Sequence, residues 1–329
     1  DKNVLTGNKS RRKIDWAEPS LVPPSVKESQ IRLGTPKILS FLSASNSKKG
    51  TTVIECHNNI VEGNTQRTKI IATNRGAPIW TDYLPYAVLL AATNEVFTVL
   101  AGEDGSLNVY SPNGRRLFPP IILESTAVML RCTSSWLLCL TVTGLLYTWD
   151  IASLKCKLDG VSIAPILQAA ILSETELHDA PRIKEIRMQK DGLPILITSL
   201  QQAFVYHTDM KVWMRISDAW YIISEFWGSG QFPSADEDHP LGWLASQIDT
   251  ARGVDSLTRL MMDIANTDYH VASVVTIGQI ETQLAVAALL NSPEEYSRWM
   301  TYYARKLAKE SAKGKVEELC RWLIGPPFL

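Results

Sequence analysis

Two stretches, Gly105-Ser-Leu-Asn-Val-Tyr-Ser111 and Gly144-Leu-Leu-Tyr-Thr-Trp-Asp150, align at an offset of 39 residues. An earlier pair, Lys69-Ile-Ile-Ala-Thr-Asn-Arg-Gly76 and Leu107-Asn-Val-Tyr-Ser-Pro-Asn-Gly114, aligns at 38. A period near ~40 that ends in Trp-Asp marks propeller-type blades, in which each repeat is a small antiparallel sheet. Around these stretches the chain alternates short runs of Val, Ile, Leu and Thr with turn residues. Runs at 51–56, 69–73, 86–91, 96–101, 107–110, 128–133, 136–141 and 145–149 read as strands, and 193–205 ahead of Trp213 reads as another unit. Three or four blades result, fewer than a free-standing ring needs, so the edges of the array require a cover.

Beyond Ser217 the apolar spacing becomes helical. Ile280, Leu284, Ala287 and Ala288 share one face of a helix over 276–290, with Thr276 and Gln279 spaced as a capping box. Ser292-Pro293-Glu294-Glu295 predicts a second helix, from Pro293 to about Lys313, with Ser292 as N-cap, Pro at the first helical position and Glu295 bonding back. A last helix follows Gly314, burying Val316, Leu319, Cys320 and Leu323, and stops at Gly325-Pro326. The expected class is therefore α+β, mainly β: antiparallel propeller-blade-like sheets followed by a C-terminal cluster of helices. Its parts are an extended basic, Pro-containing arm over 1–35, a β-rich array over 36–217 and a helical part over 218–329 that packs on the sheets. Within the arm, Trp16, Leu21 and Val22 are the residues suited to pin it to the body. Residues 228–240 read as an irregular acidic loop.

Composition restricts function. The 329 residues are 45% hydrophobic and 20% charged, ample for a core without disulfides or metals. Lys plus Arg number 33 against 34 for Asp plus Glu, so the surplus of positive charge that a phosphate backbone demands is missing, and direct nucleic-acid binding is disfavoured. No apolar run reaches the ~18 residues of a membrane span. The first residue is Asp1 and the last segment is Gly-Pro-Pro-Phe-Leu329, as expected of a piece of a longer protein.

Five scattered cysteines, Cys56, Cys132, Cys139, Cys156 and Cys320, contain no CxxC spacing, which argues for a reducing compartment and against a zinc site. The sequence lacks GxGxxG, P-loop, GxSxG and HExxH signatures. Cys56 and His57 are adjacent, and neighbours in a strand face opposite ways, so they cannot share a metal. Asp236-Glu237-Asp238-His239 reads as a solvated loop rather than a cation cage. The expectation is a non-enzymatic protein with no metal and no cofactor. Trp80, Trp136 and Trp213 are expected in the core. Lys306, Lys309, Lys313 and Lys315 are expected on a solvated face beside Glu310, Glu317 and Glu318.

One further comparison belongs to the residues themselves. Residues 101–117 (Ala-Gly-Glu-Asp-Gly-Ser-Leu-Asn-Val-Tyr-Ser-Pro-Asn-Gly-Arg-Arg-Leu), 120–123 (Pro-Ile-Ile-Leu) and 146–150 (Leu-Tyr-Thr-Trp-Asp) resemble the C-terminal region of the HIRA/Hir histone-regulator family. So do residues 280–290, 292–296, Trp299, 303–305, Leu319-Cys320 and 323–326. The resemblance runs in order over about 68–326 and leaves out 173–183 and 235–239. It implies a nuclear subunit of a histone-chaperone complex that supports replication-independent nucleosome assembly and, in fungi, represses histone genes. The family's WD-repeat propeller and its chaperone-binding middle segment are not in this chain. The C-terminal module is implied to be the assembly part: it self-associates, as a trimer in animal members, or pairs with a paralogue. It also binds a large helical scaffold subunit and meets histones only indirectly. The family's Trp-Asp pair corresponds to Trp149 and Asp150, to which the resemblance assigns an oligomer-interface role, although Trp149 is equally suited to packing between blades. The residues leave a second reading open, a monomeric propeller-type module that reads peptides through an aromatic-lined groove.

Overall fold

A computed structural model describes residues 31–45, 52–62, 65–168, 182–227, 239–249 and 269–325. Its strands form four antiparallel sheets, each of four strands in chain order. Sheet 1 holds β1 (Phe41–Ser45), β2 (Thr52–Glu62), β3 (Thr65–Asn74) and β4 (Ala77–Leu84). Sheet 2 holds β5 (Val88–Thr93), β6 (Thr98–Gly102), β7 (Ser106–Tyr110) and β8 (Ile121–Ile122). Sheet 3 holds β9 (Ala127–Thr133), β10 (Trp136–Thr141), β11 (Leu145–Asp150) and β12 (Lys155–Ser162), and is followed by a short helix α1 (Ala164–Gln168). Sheet 4 holds β13 (Ile183–Met188), β14 (Pro194–Thr198), β15 (Ala203–His207) and β16 (Val212–Ser217). This is the propeller-blade-like, mainly β architecture expected, with four units, the larger of the two numbers read from the sequence.

The two-residue period of a strand explains how the sheets stack. In sheet 2, Leu100 and Tyr110 meet Ile54, Ile70 and Ala72 of sheet 1, while Val99, Leu107 and Val109 meet Leu137 and Cys139 of sheet 3. Leu138, Leu140, Leu146 and Leu158 leave sheet 3 on its other face and meet Ile186, Met188, Leu196 and Phe204 of sheet 4. Because β6, β7 and β14 are covered on both faces, every residue in them is buried. Strand β4 has one covered face and alternates instead, with Trp80, Asp82 and Leu84 turned inward and Ile79, Thr81 and Tyr83 exposed. Each fully buried aliphatic side chain contributes about 1.5–3 kcal/mol before entropy is charged against it.

The helices cover a face and not an edge, which corrects the expectation. Ile195, Ile197, Ala203, Val205 and Ile216 leave sheet 4 on the side away from sheet 3. There they meet α2 (Pro240–Asp249), α3 (Tyr269–Leu289), α4 (Pro293–Lys309) and α5 (Lys313–Ile324) through Leu241, Trp243, Leu244, Ile280, Leu284, Trp299 and Leu307. A 3-10 turn over Ala219–Ile223, held by Asp218 accepting from the Trp220 N–H, leads the chain from β16 to the helices.

Helix boundaries differ from the sequence reading for identifiable reasons. Thr276 caps nothing: it lies inside α3, where its Oγ1 donates to the Ala272 carbonyl at 2.7 Å and accepts the Glu225 N–H at 3.2 Å. Ser292 stands at the N-cap of α4 with Pro293 behind it, yet its side chain makes no capping bond. Glu295 does not bond back. It is fully buried and accepts the N–H groups of Leu241 (3.1 Å) and Gly242 (2.8 Å) at the start of α2, so the carboxylate intended for one helix caps another. Helix α4 ends at Lys309, and Gly314 falls within α5 rather than before it. On α5 Leu319 is buried and Val316 packs on the core, but Cys320 and Leu323 are exposed, so only half of the expected apolar face is used.

Replacing Glu295 by Ala removes two charge-assisted bonds from a buried site and should lower unfolding free energy by about 2–4 kcal/mol in urea titration. A change below about 0.5 kcal/mol would contradict the cross-cap.

Candidate interaction site

The tryptophans expected in the core are joints between sheets. Each is only half-buried, and each donates its indole N–H to a backbone carbonyl of a neighbouring sheet or its connecting turn. Trp80 of β4 donates to the Pro112 carbonyl at 3.1 Å and stacks on Tyr110 with centroids 5.3 Å apart. Trp136 of β10 donates to the Lys190 carbonyl at 3.1 Å, and Trp213 of β16 donates back to the Ser162 carbonyl at 2.8 Å. The receiving turns of Trp80 and Trp136 are copies of one another. Ser111 N–H donates to Arg115 and Gly114 N–H to Ser111; Gln189 N–H donates to Leu193 and Gly192 N–H to Gln189. Gly192 lies 78 positions after Gly114, twice the 39-residue offset read from the sequence. Both glycines have positive φ, +83° and +84°, and a Cβ on either would sit 2.5 Å from the facing indole. Glycine is thus required twice over, by backbone conformation and by the ring.

Polar locks reinforce the joint between sheets 1 and 2. The Asn58 amide donates to the carbonyls of Leu39 and Val88, both at 2.8 Å, and accepts from Thr68 Oγ1 and the Val88 N–H, both at 2.9 Å. Asp82 accepts from Arg116 Nη2 at 2.7 Å and from the Tyr110 hydroxyl at 2.9 Å. Burial alone would raise the Asp82 carboxyl, but the Arg116 guanidinium, the Tyr83 N–H and the Tyr110 hydroxyl together hold it below the ordinary carboxylate value. Neither lock is legible from spacing, since the partners lie 10 to 34 residues apart with no local signature.

Trp149 and Asp150 end β11 at the outer part of sheet 3. Trp149 pairs with Leu137 and Cys156, and its ring stacks on Tyr147 at 5.2 Å and 9°. It is half-buried against the core shared by sheets 2 and 3. Asp150 holds the following turn, accepting from the Ala152 N–H at 3.1 Å and the Ser153 hydroxyl at 2.6 Å. Bonds from Ser153 and Ser135 hold its carboxyl below the ordinary value. The same turn presents Leu154, 73% exposed and at φ +55°. Beyond it β12 is the outer strand of sheet 3, with exposed Lys155, Cys156 and Lys157 and no further strand paired to it among the described residues. Behind Tyr147, Glu124 accepts its hydroxyl at 2.9 Å and those of Thr141 and Thr143 at 2.6 and 2.8 Å, which fixes the aromatic pair.

Among the described residues the cysteines and histidines are dispersed. Cys56 is buried between sheets 1 and 2, whereas His57 faces outward against Phe41, 5.1 Å away. Burial pushes the thiols of Cys56 and Cys132 up to about 12, which leaves them poor nucleophiles. No group of three or more His, Cys, Asp and Glu able to hold a metal occurs among the described residues. His239 sits 3.2 Å from Glu294, while residues 235–238, 173–181, Trp16, Leu21 and Val22 lie outside the described residues. Lys306 is not on a solvated face: it is buried, 2.6 Å from Glu225 and 3.0 Å from Glu310. A cleft of about 730 Å³ with mixed polar and apolar walls opens between sheets 2, 3 and 4, lined by residues 93–96, 131–136 and 185–190.

A helix-capped stack of propeller-type sheets is the class of fold that these residues build. Comparison with known proteins then fixes the family. The family model described as Hira, TUP1-like enhancer of split, matches residues 114–323, well over half of the sequence, and the chain belongs to that family. It is 32% identical over 320 residues to the histone transcription regulator slm9 of Schizosaccharomyces pombe, covering 94% of this chain and 38% of that protein. It is 30% identical over 355 residues to protein hir-1 of Neurospora crassa, covering 94% of this chain and 34% of that protein. The chain thus spans little more than a third of the length of these curated relatives. The crystal structure of HIRA(644-1017) superposes with a TM-score of 0.64 at 24% identity, covering 94% of this chain and 86% of that one, and shares the fold.

Two outcomes test the joints. Gly192→Ala should cost about 2 kcal/mol or more, and in a cycle with Trp136→Ala the two losses should fail to add by at least about 1 kcal/mol; additive losses would disprove the contact. For Asp82 the folded value is depressed, so its contribution is complete above the unfolded value near ~3.9 and is lost as pH falls through the folded one. The stability gap between wild type and Asp82→Asn, followed by urea midpoints, should therefore shrink as pH falls below about 4; a widening gap would contradict the assignment.

Proposed function

We propose that this chain is the assembly module of a histone-chaperone complex: a non-enzymatic nuclear scaffold that self-associates, as a trimer or with a paralogue, and binds a large helical subunit. Supporting replication-independent nucleosome assembly and histone-gene repression would follow from geometry, because a multimer holds several histone-binding arms at high local concentration. Histones are met through those arms and not by this module.

The observation that carries this reading is the end of the β11–β12 hairpin. Trp149 is half-buried and stacked on Tyr147, Leu154 in the following turn is 73% exposed, and β12 has no strand on its outer side among the described residues. A large ring fixed by Tyr147 with an exposed aliphatic neighbour has the make-up of an interface anchor. Asp150 then serves the interface by holding the turn that presents Leu154.

The cleft between sheets 2, 3 and 4 favours the second reading, a monomer that binds peptides there. Sedimentation velocity separates the two. Trp149→Ala with Asp150→Ala disturbs the turn as well as the surface, so Leu154→Asp is the cleaner variant. It should reduce a multimer to the 36.6 kDa single chain while leaving circular dichroism and melting unchanged. A multimer that tolerates this charge would remove the β11–β12 end from the interface, and a wild-type monomer would favour the peptide-binding module.

A further inference from the structure

A ring of three asks more of a chain than a two-fold pair does. A pair can join one patch to itself, whereas an odd ring joins two different patches, head to tail, at every contact. The β11–β12 end supplies one such patch. A chain that closes a ring therefore carries a second, matched to the first in apolar surface and in charge.

The C-terminal turn of α5 has the apolar surface. Trp322, Leu323 and Ile324 are 57%, 65% and 79% exposed, and no other run of three exposed large apolar residues occurs among the described residues. Single apolar side chains on a surface need no explanation, but a contiguous cluster does. The cluster is held in place: the Trp322 ring meets Tyr296 of α4 edge-on with centroids 6.3 Å apart, as Tyr147 holds Trp149, and the Gly325 N–H closes the turn on the Arg321 and Trp322 carbonyls. A ring already fixed loses little freedom when a partner covers it. Leu154 lies on sheet 3 and α5 in the helical layer beyond sheet 4, and both are exposed in the single chain, so neither covers the other.

Charge selects this cluster over the other exposed apolar sites. Leu154 is followed on β12 by the exposed Lys155 and Lys157 before the first acidic residue, Asp159, so the facing rim should be acidic. On α5 the exposed Glu318 stands one turn before Trp322, an i,i+4 neighbour on the helix surface. The basic residues of α5 are engaged or distant: Lys315 pairs with Glu281, Arg321 lies 3.8 Å from Glu317, and Lys313 is at the other end of the helix, ~14 Å along its axis from Trp322. Elsewhere the rim is neutral or basic. The exposed Met210 and Val212 have Asp209 and Lys211 beside them, and the exposed Phe41 and Tyr83 share one cross-strand row with His57 and Lys69. Resting on the self-association proposed above, we propose that the C-terminal turn of α5 receives the β11–β12 end of a second copy of this chain, Leu154 on the apolar cluster and Lys155 and Lys157 towards Glu318. Each copy gives its hairpin to one neighbour and takes the hairpin of the other on its helix, so three copies close with no patch left over. The ring and aliphatic side chains carry affinity, and the rim charges set register.

Sedimentation velocity on mixed variants of the full chain tests it. Ile324→Asp, at an exposed position, should reduce the multimer to a single chain with circular dichroism unchanged, as Leu154→Asp does. Mixed one to one, the Leu154→Asp chain keeps a sound helix patch and the Ile324→Asp chain a sound hairpin, so together they should form a two-chain species and stop there. Two variants of one self-paired patch cannot complement in this way, and the complementation shows that both are folded. Lys155→Glu/Lys157→Glu and Glu318→Lys should each weaken the multimer at least about tenfold, and their combination in one chain should recover it. A multimer that tolerates Ile324→Asp, or a mixture that stays single-chain, would overturn the α5 contact while leaving self-association standing. A wild-type chain that is single at every concentration would instead remove self-association, and this contact with it.

Discussion

The arrangement depends on one repeated contact, an indole that crosses from one sheet to its neighbour and donates its N–H to a backbone carbonyl there. A sheet-to-sheet core of Leu, Ile and Val is non-directional and tolerates sliding. The indole adds direction. Trp80 finds Pro112, Trp136 finds Lys190 and Trp213 finds Ser162, each at ordinary hydrogen-bond length. In two of the three the ring lies where a glycine Cβ would be, so the turn and the ring specify each other. This helps four small sheets hold a fixed register.

Stacking in series has consequences for what the module can offer. Sheets 2 and 3 are buried on both faces by their neighbours, and sheet 4 is covered by the helices, whose own assembly is tied down by Glu295 at the start of α2. Among the described residues, exposed surface includes the outer face of sheet 1, the cleft between sheets 2, 3 and 4, the β11–β12 end with Leu154, and the half-used face of α5 with Trp322, Leu323 and Ile324. Among the described residues no three or more of His, Cys, Asp and Glu converge on a metal-holding site, and the chain belongs to the Hira family.

Local signals are legible in this sequence, and reciprocal ones are not. The 39-residue offset and the terminal Trp-Asp led to the sheet units, because strand period and turn glycines are local properties. Ser292-Pro293 located the start of α4 for the same reason. A side chain with two possible partners carries no such local signal. Glu295 has the spacing of a capping box, but a buried helix N-terminus nearby competes for it and gains more from a desolvated carboxylate than an exposed cap would. Lys306 has the look of a solvated lysine and is buried by Glu225, 81 residues earlier. Asn58, which satisfies four backbone and side-chain groups, carries no pattern at all. For Trp149 the sequence specified a large ring at a strand end, and the structure adds its half-burial and exposed neighbour.

The role proposed for this module is to bring copies or paralogues together. Its most direct test is the absolute mass of the unaltered chain by light scattering over a dilution series. The account predicts a mass near three times 36.6 kDa that persists on dilution, or, for a module that pairs only with a paralogue, that mass on mixing the two. A single-chain mass at every concentration, unchanged when the paralogue is added, would contradict it.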